Sequence, residues 1–143
     1  MLVIDPTPKR LWGTYYGGEN NDAQGHCSID KAGNVFLYGM TNSLVNIASA
    51  GSYQGILAGE TDCFLAKFDA AGQRQWGTYF GGIEYDQASN TGGLAIAVDI
   101  SGNICFAGCT SSLSGIATPG AHQTIFGGVY DAFLEKFSQE GYR

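Results

Sequence analysis

Short apolar stretches bounded by Gly, Asn and Asp run through the chain, and no window carries a helical period of useful length. Val35–Thr41 and Asp62–Asp69 are two such stretches, with Ile104–Thr110 and Asp131–Ser138 reading the same way further on. A shorter one lies around Gly25–Asp30 and again around Leu94–Asp99. Each is short, rich in aromatic or branched residues, and apolar on both sides of the pleat, which predicts strands that need cover on both faces.

The pattern occurs twice. Leu11-Trp12-Gly13-Thr14-Tyr15-Tyr16-Gly17-Gly18 returns 64 residues later as Gln75-Trp76-Gly77-Thr78-Tyr79-Phe80-Gly81-Gly82. After about five extra residues near Ser89–Gly93, Asp30–Arg74 lies over Asp99–Arg143 at an offset of 69, with 20 of 45 positions identical. Chance does not supply that, and a fixed period outranks any local motif as a guide to fold. The repeat predicts four strands per unit. Strand one is followed by the turn Asp30-Lys31-Ala32-Gly33-Asn34, or Asp99-Ile100-Ser101-Gly102-Asn103. There the aspartate can bond the turn's own amides, and Gly33 and Gly102 are expected to take positive φ. Strand two, a long connection, strand three, a tight turn and the Trp-Gly-Thr-Tyr strand complete the unit.

A tandem four-strand antiparallel meander with two apolar faces is the pattern of β-propeller blades, which cover each other's faces. The division expected is 1–18 as a lead-in and closing strand, 19–82 as the first blade, and 83–143 as a second blade without its own fourth strand. Pro6 and Pro8 stand where the equivalent turn has Ala70 and Gly72, so the lead-in is not an identical copy of a blade's end. Arg143 falls two residues before the next tryptophan would be due. A spare strand at one end and a missing one at the other is how a ring closes.

Taken together, Trp-Gly-Thr-Tyr-Phe-Gly-Gly, Asp-x-x-Gly-Asn, Gly-x-Thr-x-Ser and Asp-x-Phe-Leu-x-Lys-Phe resemble the SBBP-type bacterial β-propeller repeat family over nearly the whole chain. The resemblance implies a secreted or cell-surface bacterial protein, a scaffold with no catalytic residues and no cofactor. The first residues, Met1-Leu2-Val3-Ile4-Asp5-Pro6, lack the basic and long apolar regions of a signal peptide, so either the protein stays inside or Met1 begins a piece of something longer.

Composition narrows the partners. A net charge of -6 with 7 basic residues scattered along the chain argues against nucleic acid and against a polybasic membrane patch. No apolar run reaches the roughly 20 residues of a membrane-spanning helix. Cys27, Cys63, Cys105 and Cys109 form no metal signature with His26 or His122, and all four are expected to be small buried apolar residues.

Candidate chemistry is thin. Trp12 and Trp76 could form a sugar-stacking platform, but their shared repeat position favours packing between blades. The loops Glu19-Asn20-Asn21-Asp22 and Glu84-Tyr85-Asp86 offer oxygen ligands without calcium-loop spacing. Ser111, Ser112 and His122 lack a nucleophile's setting. Lys67 and Lys136, in mid-strand three, are expected to be held by the same partner position in both blades. The long connections 42–61 and 111–130 are the favoured recognition elements, since long loops on rigid frames carry function. Two functions fit. One is a non-catalytic binding or adhesion module for a glycan or a cell-surface protein. The other is a structural unit that assembles with itself, or with further repeats of a longer chain, by strand exchange.

Overall fold

The computed structural model describes residues 9–88 and 96–142. Among them there is no helix, and hence none long and apolar enough to cross a membrane. Eight strands form: β1 (Asp22–Ile29), β2 (Val35–Thr41), β3 (Asp62–Phe68), β4 (Arg74–Phe80), β5 (Asp86–Ala88), β6 (Ile96–Val98), β7 (Ile104–Thr110) and β8 (Asp131–Phe137). The first sheet is a meander in the order β1-β2-β3-β4, antiparallel throughout. In the second sheet β5 and β6 both pair with one side of β7, and β8 pairs with the other.

Strand one therefore begins earlier than the apolar pattern suggested, at Asp22, with a bulge between Ala23 and His26. In the second sheet the same strand is divided into β5 and β6; the extra residues of the repeat lie between them, outside the described residues, as do Pro6 and Pro8. The Asp-x-x-Gly-Asn turns form as expected, with φ of 83° at Gly33 and 85° at Gly102. Asp30 Oδ1 accepts from the amides of Ala32 and Asn34, and Asp99 Oδ1 from those of Ser101 and Asn103, all at 2.9 Å. Asparagine then donates to the second carboxylate oxygen in each.

Alternation along β3 divides the core in two. Cys63 and Leu65 join Phe36, Tyr38 and Phe80 against Ile104, Phe106, Phe133 and Phe137 of the second sheet. Phe64 faces the other way, with Tyr79 and Ile47, where Tyr16 packs against it. Aromatic rings dominate the joint between the sheets. Phe80 lies 5.3 Å from Phe106 and 5.2 Å from Phe133, centroid to centroid, within the range where such pairs add stability beyond area burial.

Residues 9–18 do not join a sheet, although the repeat led us to expect a strand there. They are nonetheless placed by the contacts β4 uses. Trp12 Nε1 donates to Ala70 O at 3.2 Å, and Trp76 Nε1 donates to Gln139 O at 3.1 Å, one repeat on. Tyr16 packs on Phe64 and Phe68 as Phe80 packs on Phe133 and Phe137.

Candidate functional site: loops, buried carboxylates and an open edge

Most polar side chains singled out by the sequence are occupied in holding backbone. Asp22 Oδ2 accepts from Gly18 N at 2.8 Å and from Ser43 Oγ at 3.1 Å, while Oδ1 accepts from Thr41 Oγ1 at 2.6 Å. Asp86 repeats the first two bonds with Gly82 N and Ser112 Oγ. Its Oδ1 is buried without a hydrogen-bond partner, beside the equally buried Asp62. The two carboxylates converge on Gly81, where an added Cβ would meet both of them. Burial, and then the nearby Asp86 charge, raise the pKa of Asp62 against three bonds that lower it. Burial likewise pushes up the Cys63 thiol and the Tyr38 phenol, which contact each other at 3.2 Å.

The acidic loop at Glu19 is spent in the same way: its carboxylate accepts from the amides of Leu44 and Val45. Ser111 Oγ accepts from Tyr85 N, and Ser112 Oγ from Glu84 N, whereas His122 is exposed. Ser112 and His122 both line a groove beside β8. The serine hydroxyls, however, are bonded to backbone and to Asp86, and no hydrogen bond joins either serine to the histidine among the described residues. No three His, Cys, Asp or Glu side chains converge among the described residues. The cysteines correct one expectation. Cys63 is buried, but Cys105 and Cys109 are half-buried and Cys27 is exposed; all are free thiols. Cys27 lies on β1, an edge strand, and Cys105 and Cys109 on the uncovered face of β7, so burial stops where neighbours stop.

The lysines also differ from expectation. Lys67 Nζ donates to Gln139 O of the second sheet's last turn at 3.3 Å and sits over the Phe36 ring. Lys136 instead pairs with Asp99 Oδ2 at 2.8 Å and is exposed. Their environments diverge because the first sheet has another sheet on that face and the second does not.

The long loops behave as clasps. In the first, Gln54 N donates to Thr78 Oγ1, Gln54 O accepts from Tyr79 N, and Gln54 Oε1 accepts from Gly81 N. Ser49 and Gly77 exchange two more bonds, Ser49 N to Gly77 O and Gly77 N to Ser49 Oγ. The loop thereby closes over the outer side of β4, and Gly77 is required there because a Cβ would strike Ile47 O. The second loop keeps the internal half of this scheme. Gln123 Nε2 donates to Ile125 O and to Asp131 Oδ2, as Gln54 does to Ile56 O and Asp62 Oδ2. It has no strand to close on. Between it and β8 lies a groove of about 790 Å³, lined by Thr110, Ser112, Ile116, Gln123, Phe133 and Leu134 among others. The role of Gln54 and Gln123 was not assigned from sequence, although their identity at one repeat position was the available signal.

A smaller cleft of about 450 Å³ lies where Trp12 and Tyr16 meet the turn of β3 and β4. Burial there pushes the Tyr16 phenol up to about 12, and its hydroxyl donates to Ile47 O at 2.7 Å. No protein-family model matches the chain, and no curated protein matches it.

Proposed function

We propose that the chain is a non-catalytic scaffold of two β-propeller blades, secreted or exposed on a bacterial cell surface, that binds a glycan or a protein through its long loops. The observation behind this reading is a matched pair of apolar displays. Leu44 and Leu113 occupy one repeat position and are 64% and 70% exposed; Ile56 and Ile125 occupy another, at 75% and 80%. Apolar side chains held outward at equal positions on the two long loops form a regular surface suited to a partner. The use of Asp22, Asp86, Ser111 and Ser112 in holding backbone supports a scaffold rather than an enzyme. The resemblance to SBBP-type repeats supports the blades and the extracellular setting.

The test is retention of the purified chain on a printed glycan array and on a panel of immobilised extracellular proteins. Retention that is lost in the Leu44→Ser/Leu113→Ser double variant, with an unchanged circular dichroism spectrum, is the expected outcome. No retention on either surface, or retention indifferent to both substitutions, overturns the reading. A second reading, self-assembly by strand exchange, is favoured by the unfilled groove beside β8.

A further inference from the structure

The structure assigns that groove an occupant: residues 11–17 of a second copy of this chain, added as the fourth strand of the second sheet. This deepens the assembly reading and rests on it.

The first sheet shows what the groove is built to hold. There β4 lies between β3 and the 42–61 loop, with Cys63 opposite Phe80, Phe64 opposite Tyr79, Leu65 opposite Thr78, Ala66 opposite Gly77 and Lys67 opposite Trp76. Carrying that register through the two repeat offsets sets Ala132 opposite Tyr16, Phe133 opposite Tyr15, Leu134 opposite Thr14, Glu135 opposite Gly13 and Lys136 opposite Trp12. Gln123 then gains the strand contacts that Gln54 makes. Gln123 meets Thr14, Tyr15 and Gly17 as Gln54 meets Thr78, Tyr79 and Gly81. Gly13 passes Ile116 where Gly77 passes Ile47.

Residues 11–17 already resemble β4 in detail. Thr14 Oγ1 contacts Tyr15 O and Thr78 Oγ1 contacts Tyr79 O, both at 2.9 Å. One side of the segment is seated on the first sheet through Trp12 and Tyr16. The other side has nothing: Tyr15 is 102% exposed, while its counterpart Tyr79 is 1% exposed and donates to Ser43 O at 2.8 Å. In the groove Tyr15 would lie against Phe133 and donate to Ser112 O.

The segment cannot fill the groove of its own chain. Tyr16 packs on the Phe64 face of the first sheet, and the second sheet packs on the opposite, Leu65 face. A second copy can supply it, joined head to tail, and such contacts either close into a ring or continue as a filament. With two blades per copy, the usual 4 to 8 blades of a propeller correspond to a ring of about two to four copies. Strand addition to an exposed edge is a recurrent mode of recognition, and the groove walls add side-chain selection to it.

Two variants test the contact on the 143-residue chain. The amides of Gly77 and Tyr79 face the loop, so by alternation Thr78, and hence Thr14, presents its backbone to the neighbouring strand. Thr14→Pro removes that donor, and Tyr15→Ser removes a side chain that contributes nothing buried to a single copy. Light scattering of the unmodified chain should give a whole-number multiple of one chain's mass. Both variants should fall to the mass of one chain with unchanged circular dichroism. In a third preparation, Thr14→Cys on one copy and Leu134→Cys on another should form a bridge, located by peptide mapping, that Thr14→Cys paired with Ala132→Cys does not. A single-chain mass for the unmodified protein at all concentrations overturns both the groove contact and the assembly reading. Assembly that survives both variants, or a bridge in another register, overturns the groove contact and leaves assembly by another surface.

Discussion

The two sheets share a repeat yet occupy different environments. Leu65 is fully buried and Leu134 is 78% exposed, although both stand at one position of the third strand. Phe64 and Phe133, one residue earlier, are buried in both. The difference lies with the neighbour: the first sheet has the second on its Leu65 face and residues 11–17 on its Phe64 face, whereas the second sheet is covered on one face alone. Burial in a repeat of this kind belongs to the joint between units and not to the unit. The pair Lys67 and Lys136 makes the same point, since one reaches across a joint and the other folds back on its own turn.

The comparison breaks most sharply at the joint itself. Phe80 is fully buried among Phe106, Phe133 and Phe137, so Phe80→Ala should cost about 3–5 kcal/mol in urea denaturation, the range for truncating a core aromatic. Tyr16 holds the equivalent position but is half-buried, and Tyr16→Ala should cost about 1–3 kcal/mol. Equal losses would mean that residues 11–17 are as integral to the first sheet as β4 is to the pair, and the proposed asymmetry would be wrong.

The clasps give the next contrast. Gln54 is half-buried and bonds Gly81 N, Ile56 O and Asp62, so Gln54→Ala should destabilise by about 1–3 kcal/mol, the cost of leaving buried partners unsatisfied. Gln123 is exposed and lacks the strand contact, and Gln123→Ala in a single copy should cost less than about 1 kcal/mol. If the groove is filled by a second copy, the two losses should converge as concentration rises.

How much of this was legible in the chain follows from what repeats encode. Strands β2, β3, β4, β6, β7 and β8, the paired turns and the positive φ at Gly33 and Gly102 could be read, because turn chemistry and apolar patterning are local, whereas β5 lies in what read as an acidic loop. The start of β1 at Asp22 could not, since Asp22-Ala23-Gln24-Gly25 is polar and enters the sheet only by pairing with β2 across a bulge. Nor could the exposure of Cys27 or Leu134, which depends on which neighbour is present. Asp22 and Asp86 read as structural aspartates in solvated loops, with oxygen ligation of calcium as the alternative. Each accepts from an amide four residues upstream, but the hydroxyls of Thr41, Ser43 and Ser112 come within reach only through the fold.

Where the environments coincide, the sheets should respond alike. An added Cβ at Gly33 would meet the Ala70 Cβ at 3.4 Å, and one at Gly102 would meet Gln139 Oε1 at 3.1 Å, both at positive φ. Gly33→Ala and Gly102→Ala should each cost about 1–2 kcal/mol, the price of a left-handed residue with a side chain. Thermal unfolding of the two variants should agree within about 0.5 kcal/mol. A clear excess at either turn would show that the flanking sheet, and not the turn, sets the cost.

The smallest effect separates the same two turns by charge. The Lys136 ammonium, followed by the Asn103 side chain, holds the Asp99 carboxyl well below the usual carboxylate range. Asp30 is lowered too, against burial, but mainly by its bonds from Asn34 and Ala32, with Lys67 the weakest contributor. A carboxyl depressed on folding favours the folded state above its unfolded pKa, near 3.9, and that contribution is lost as pH falls through the folded value. Lys136→Met should therefore raise the Asp99 pKa measurably in an NMR titration and shift the acid end of the stability curve upward in pH. Lys67→Met should move Asp30 less. The ordering tests whether Lys136 in solution stays on Asp99: if Lys136→Met leaves the titration of Asp99 unchanged under assembling conditions, the lysine has left its own turn. It would then have moved to the place Lys67 occupies, on the Ala70 carbonyl of the next copy.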